Sequence, residues 1–297
     1  MSCKNLTLSP LLIGALCLIC AELCFALVGA LVKFLSADMN QTQLVFFRNA
    51  SALIVILPIL IKQGQSRSIQ LLKTQQFGLH LFRGLCGMLA MYGFFYVLTI
   101  LTLTQAMMTL LLAPFIVPII ARIWLREFIQ LKTWLAIFIG FVGAAFILLN
   151  KPDAMQPYPI DASIIALGCA ILVATTKCTI RKLTISEPSL RIVFYFTGIA
   201  TLISLIPMLM YWQPILLSVL PGLTAMGLLA AVGQLLMTRA FALASPVKIG
   251  LLSYTSLLFA AIIGALAWQE PITPPLLVGS LIIIWAANIT IRQRWFW

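Results

Sequence analysis

One carboxylate stands in the middle of a long apolar run. Glu22 lies in LLIGALCLICAELCFALVGALVKFL, residues 11–35. A charge at the centre of a membrane span costs roughly 2.5–3.5 kcal/mol, so it must face protein or water rather than lipid. Steps of three and four put Ala15, Leu18, Ala26, Gly29 and Lys33 on the same helical face. Small residues on that face admit another helix or a ligand. Lys33 is about 16 Å further along the axis, too far to pair with Glu22 directly. Two chemistries fit: a cation-binding or proton-titrating carboxylate on a solute path, or a buried Glu held neutral or paired to an arginine.

The other polar groups within apolar runs are few. Arg48 sits inside the second run, where its planar fork suits a carboxylate or phosphate, or pairs with Glu22. Arg83 lies nearer the cytoplasmic end of the third run, as a gate, an anchor or a substrate contact. His80, the single histidine, is one turn earlier and reads as an interfacial, wet side chain. Lys177 falls at the depth of Lys33 when runs one and six are superposed; Lys33 reads as an anchor at a helix end. Gln234 shares a face with Gly227 and Thr238 and offers neutral hydrogen bonds. Tyr92, Tyr96 and Tyr254 can line a cavity with apolar bodies and polar tips. Glu127 and Glu270 close their runs at the interface, where a charge is cheap and a structural or gating role fits best.

Several chemistries find no constellation here. The acids are Glu22, Asp38, Glu127, Asp153, Asp161, Glu187 and Glu270, and none pairs at helical spacing. No Ser/His/Asp set builds around His80, so an intramembrane enzyme is disfavoured and no cofactor is called for. Cys17-x-x-Cys20 has a metal-like spacing but lacks a second pair and histidines, so no metal is assigned. The remaining thiols read as small packing groups. No GxxxxGK[ST] loop occurs, so any transport is secondary rather than ATP-driven.

The elements that must position these groups are membrane helices. The chain is 62% hydrophobic and 9% charged, with a mean hydropathy of +1.10, against about 25% charged residues in a soluble domain. The apolar runs are continuous, which excludes the alternation of a β-barrel. Ten spans follow: 10–34, 42–61, 78–100, 104–125, 131–149, 161–182, 190–211, 216–238, 246–268 and 274–292. The first is an uncleaved span, because its run passes Val32 without a small-residue cleavage site. Pro114 and Pro118 lie within the fourth, tolerated where neighbouring helices satisfy the freed carbonyls. The net charge of +12 is spread over short loops with no basic run, which argues against nucleic-acid binding.

The chain repeats itself. LTLTQAMMTLLLAPFIVPIIARIWLRE (101–127) echoes ASPVKIGLLSYTSLLFAAIIGALAWQE (244–270) at an offset of 143 residues, setting Glu127 on Glu270 and Gln105 on Lys248. LVFFRNASALIVILPIL (44–60) echoes VFYFTGIATLISLIPML (193–209), with Pro58 on Pro207. The halves divide at the proline-rich turn 150–160, giving repeats 1–150 and 151–297. Five spans per half is odd, so the second half inserts upside down, the architecture of alternating-access carriers. Lys62, Arg67, Lys73, Arg126, Lys132, Arg181, Lys182, Arg191 and Arg239 fall in loops on one side, with little beyond Lys33 and Lys151 on the other. That bias puts both termini in the cytoplasm.

The segments FFRNASALIVILP (46–58), LFRGLCGMLAMYGFFYVL (81–98), LLLAPFIVPIIARIWLRE (110–127) and YTSLLFAAIIGALAWQE (254–270) resemble the EamA-type members of the drug/metabolite transporter superfamily. The resemblance covers nearly the whole chain. It implies an all-α integral membrane protein of ten helices in two inverted five-helix repeats in the inner membrane, moving a small metabolite. Arg48, Arg83, Pro114, Glu127 and Glu270 match positions that recur in that family. Leu257 stands where a second proline is expected opposite Pro114. Helices three, four and nine are most similar to the subgroup containing S-adenosylmethionine transporters. The expected substrate is an amino acid or amino-acid derivative, binding at Glu22, Arg48, Tyr92, Tyr96, Gln234 and Tyr254. Arg83, Pro114, Glu127, Lys177, Lys248 and Glu270 are expected to gate or support. A coupling proton or cation, and a monomer or homodimer, complete the expectation. The alternatives are a carrier of S-adenosylmethionine or of organic anions, and a passive channel.

Overall fold

The structure is a computed structural model and describes residues 9–64, 72–100, 112–149, 160–269, 272 and 274–292. Among the described residues there are helices and turns, and no strand. Helix α1 is Pro10–Leu35, started by Pro10 and by the Ser9 hydroxyl, which accepts from Leu12 N at 3.3 Å. Helix α2 (Gln41–Gly64) follows a cap in which Asn40 Oδ1 accepts from Gln43 N at 2.9 Å. Then come α3 (Phe77–Ile100), α4 (Ala113–Ile120), α5 (Leu131–Leu149), α6 (Ile160–Leu183), α7 (Ser189–Met210) and α8 (Leu220–Leu243). A single turn α9 (Pro246–Ile249), α10 (Thr255–Trp268) and α11 (Pro274–Arg292) complete the chain.

Six of these segments, among the described residues, are long and apolar enough to cross a membrane, and three shorter apolar stretches add to them. Ile54, Leu89, Leu202 and Leu266 stand exposed on outer helix faces. In water such a surface would aggregate; in a bilayer it is the solvent-facing side. The chain is an all-helical, multi-pass membrane protein.

Two segments depart from a continuous helix. After α4 the chain widens into one π turn, Ala121–Leu125, following Pro118. The ninth expected span is broken: α9, then a 3-10 stretch Gly250–Tyr254, then α10. The eighth begins four residues later than expected and runs on to Leu243. Arg126 and Gln269 end these two segments, both left-handed at φ 55°. In each, the capping amide reaches back five residues, to Ala121 O and to Gly264 O. They stand 143 residues apart, each just before a glutamate of the repeated motif.

Helix pairing has its own regularity. Helix α1 lies along α8, α3 along α6, α2 along α7 and α5 along α11. If α1, α2, α3, α4 and α5 are exchanged with α6, α7, α8, α9–α10 and α11, the α1–α8 and α3–α6 pairs swap. The α2–α7 and α5–α11 pairs map onto themselves. Helix α8 packs tightly on α2: a Cβ at Gly227 would meet Ser51 Cβ at 2.1 Å and Ser51 C at 3.0 Å. Only glycine admits that contact.

Polar seams tie residues before 150 to residues after 160 at both ends of α7. At its start, Thr74 Oγ1 donates to Glu187 Oε1 at 2.6 Å, Gln76 Nε2 to Ser186 Oγ at 3.0 Å, and Tyr195 OH to Leu72 O at 2.5 Å. Arg191 holds the other oxygen of Glu187 at 2.6 Å. At its far end, Asn40 Nδ2 donates to Tyr211 O at 2.5 Å and Gln43 Nε2 to Gln213 O at 2.7 Å. His80 is not the wet interfacial residue expected: it is 1% exposed, its ring stacked on Tyr195 at 4.5 Å. The Tyr195 ring covers it.

Candidate functional site

A cavity of about 180 Å³ lies among α1, α2, α3 and α4 on one side and α6, α7, α8 and the Gly250–Tyr254/α10 junction on the other. Its charged lining residues are Glu22, Arg48 and Lys177. Neither α5 nor α11 reaches it; those two pack on each other. Breaking the ninth segment matters here. The 3-10 stretch turns Ser253 and Tyr254 onto the wall, and non-helical backbone at membrane depth is tolerated where it lines a cavity. Pro114 adds an apolar contact from α4.

Glu22 does not pair with Arg48. Its carboxylate is 3.5 Å from Lys177 Nζ, across from α6, and Lys177 also donates to Ser253 Oγ at 2.6 Å. The pair is buried, and each charge has a partner that offsets its desolvation. Lys177, expected to gate or support, is therefore a wall residue joined to the central carboxylate. Arg48 is also buried on the wall, donating to Asn49 Oδ1 at 2.9 Å, with no carboxylate partner among the described residues.

Arg83 is not a helix-end anchor. It is 1% exposed and lies behind the wall, where it donates to Gln234 Oε1 at 3.0 Å and Ile192 O at 3.2 Å. Its guanidinium lies 4.3 Å from the Phe196 ring centroid. Both Gln234 and Phe196 face the cavity, so Arg83 fixes two wall residues without touching the space itself. The tyrosines divide. Tyr254 is fully buried on the wall with its hydroxyl unpartnered. Tyr92 packs into the core beside the cavity, off its wall. Tyr96 is 37% exposed on the outside of α3.

Of the residues expected to gate or support, Pro114 and Lys177 line the cavity, while Glu127 and Lys248 do not. The Ser245 hydroxyl donates to Glu127, and Lys248 sits in the turn just after Ser245. Lys182 lies over the Trp124 ring at 5.0 Å on the same end. Lys33 faces the Trp268 ring at 5.8 Å, an anchoring contact. Glu270 and Gln105 lie outside the described residues.

Sequence patterns did not single out the aromatic walls, Phe25, Phe94, Phe95 and Phe196, nor Thr176 and Ser253. Phenylalanine in an apolar run carries no signal of which face it takes. Thr176 had a weak one, as a hydroxyl beside a lysine in an otherwise apolar helix.

The sequence profile of the EamA-like transporter family matches residues 12–149 and again 162–292. The chain is similar to the pseudopaline exporter CntI of Pseudomonas aeruginosa, 29% identical over 285 residues, 95% of this chain and 96% of that protein. It is similar to the riboflavin transporter of Vibrio cholerae, 29% identical over 78% of this chain and 76% of that one. It is also 25% identical to the S-adenosylmethionine uptake transporter of Rickettsia bellii, over 85% of this chain and 84% of that one. A crystal structure at 15% identity superposes with a TM-score of 0.76 over 94% of this chain and 95% of that one, the same fold. These relatives are named as transporters, not enzymes. With its helices and both profile matches, the chain belongs to the EamA-like transporter family, within the drug/metabolite transporter superfamily.

Proposed function

We propose that the protein is a secondary carrier of the inner membrane that moves a small polar metabolite, an amino acid or amino-acid derivative, by alternating access. The observation that carries this is the cavity: its charges come from both halves of the chain, Glu22 and Arg48 from the first, Lys177 from the second. A site between two halves opens to either side as they rock. At about 180 Å³ it is small beside the roughly 300–1,000 Å³ of drug-sized sites, which favours a small ligand.

Ten spans in two inverted repeats, 1–150 and 151–297, underlie that motion. Three observations support the repeat: helix pairs that exchange between halves, left-handed caps 143 residues apart, and a family profile that matches twice. The seams at the two ends of α7 are the gates, one closing each side. Glu22, neutralised in this state by Lys177, is the group that takes the coupling proton or cation. The loop charges put both termini in the cytoplasm; a one-sided reporter on each end tests this, and termini on opposite faces would refute it.

Uptake into proteoliposomes tests the function, with labelled amino acids, their N-acyl and amide derivatives, riboflavin, S-adenosylmethionine and carboxylates. Saturable, counter-ion-dependent uptake of a small polar compound is expected. Unsaturable leak of many solutes indicates a channel instead.

A further inference from the structure

The charges and free hydrogen-bonding atoms of the cavity are biased to one sign. Glu22 and Lys177 cancel, 3.5 Å apart. Arg48 is left over, buried, bonded only to the neutral Asn49 Oδ1 at 2.9 Å. Arg83, behind the wall, also has only neutral acceptors, Gln234 and the Ile192 carbonyl. Two cations are thus held in a low-dielectric interior without a counter-charge among the described residues, an arrangement that costs free energy until an anion arrives.

The unsatisfied atoms agree. Three wall residues have a buried polar atom without a partner: Arg48 Nε, Thr176 Oγ1 and Tyr254 OH. A guanidinium nitrogen only donates, and a hydroxyl can donate. The one anionic acceptor on the wall, Glu22, is already engaged by Lys177. A ligand amine finds no free carboxylate among the described wall residues; a ligand carboxylate finds one ionised donor without a counter-charge, Arg48, and charge-assisted bonds are the stronger kind.

We propose that the cavity selects ligands with a carboxylate, docked on Arg48, and rejects organic cations. This rests on the carrier reading and narrows its substrate. Phe25, Phe94, Phe95 and Phe196 take the apolar body of such a ligand. Arg83 sets the field from behind and holds Gln234 and Phe196 in place; it is a positioning residue, not a contact.

Three probes with one aromatic body isolate the charge: N-acetyl-phenylalanine carries only the carboxylate, phenylalaninamide only the amine, and phenylalanine both. Thermal unfolding of the purified full-length protein is measured with each. N-acetyl-phenylalanine raises the melting temperature and phenylalaninamide does not. Arg48→Gln weakens the N-acetyl-phenylalanine effect by about tenfold or more in apparent affinity, while Arg48→Lys retains part of it. Equal or stronger stabilisation by phenylalaninamide overturns the proposal. So does the absence of any effect from N-acetyl-phenylalanine, or an undiminished effect in Arg48→Gln. Should Arg48→Gln fail to fold, the contrast between probes on the native protein still decides. Proteoliposome uptake separates the two claims. Uptake of phenylalaninamide, which carries the amine and no carboxylate, in preference to N-acetyl-phenylalanine sinks the charge inference and leaves the carrier standing. Carboxylate binding without uptake of any compound sinks the carrier and leaves the charge inference standing.

Discussion

The Glu22–Lys177 contact changes what a substitution at Glu22 does. An isolated buried carboxylate is easily replaced by an amide, but here Glu22→Gln strands Lys177 with Ser253 as its remaining partner. Breaking a buried pair from either side costs roughly 3–5 kcal/mol, because an uncompensated charge remains. Glu22→Gln and Lys177→Met should therefore each lower the thermal midpoint, and the double variant should recover most of the loss. Strictly additive losses would show that the two groups do not interact. Transport reports separately on the coupling role. If Glu22 carries the coupling proton, the double variant folds but its residual transport no longer varies with pH. A double variant with native rate and native pH profile assigns coupling elsewhere.

The broken segments α4 and α9–α10 set the cavity wall and bring strain with them. Arg126 and Gln269 sit in the left-handed region, which costs a side-chain-bearing residue roughly 1–2 kcal/mol relative to glycine. The Arg126 and Gln269 side chains do not reach the cavity, and the bend itself is what the neighbouring packing needs. Arg126→Gly should hence raise stability by about 1 kcal/mol, read as a higher melting temperature, with transport unchanged. Lower stability would mean that the arginine side chain itself holds the end of α4.

Across the whole molecule, two seams at the two ends of one helix join the halves, and α7, 22 residues long, spans about 33 Å between them. Alternating access requires each seam to part in turn. Thr74 and Glu187, joined by a 2.6 Å hydrogen bond, are one of the contacts across the first. A disulfide between Thr74→Cys and Glu187→Cys, in a Cys20→Ser background, should stop transport, and a reductant should restore it. Undiminished transport in the oxidised protein would show that this seam never opens in the cycle.

Composition and periodicity were enough for the class, an all-helical membrane protein. Lipid demands long uncharged helices, and that demand is written in every span irrespective of its neighbours. The one acid in mid-membrane was legible for the same reason: Glu22 is too costly there to be incidental. Its partner was not legible. Lys177 is 155 residues away in the chain, and the pairing depends on how α1 and α6 approach across the cavity. Arg48 was the nearer candidate in sequence, yet α2 turns it to Asn49. His80 and Arg83 read as interfacial from their place near a helix end, because distance along a helix gives depth and not cover; Tyr195 covers the first, and Phe196 with Gln234 the second. Tyr92, Tyr96 and Tyr254 are alike in sequence and differ in what faces them. The wall of the site is thus a tertiary property: periodicity fixes which residues share a face of one helix, and only the packing of eight segments decides which face looks inward.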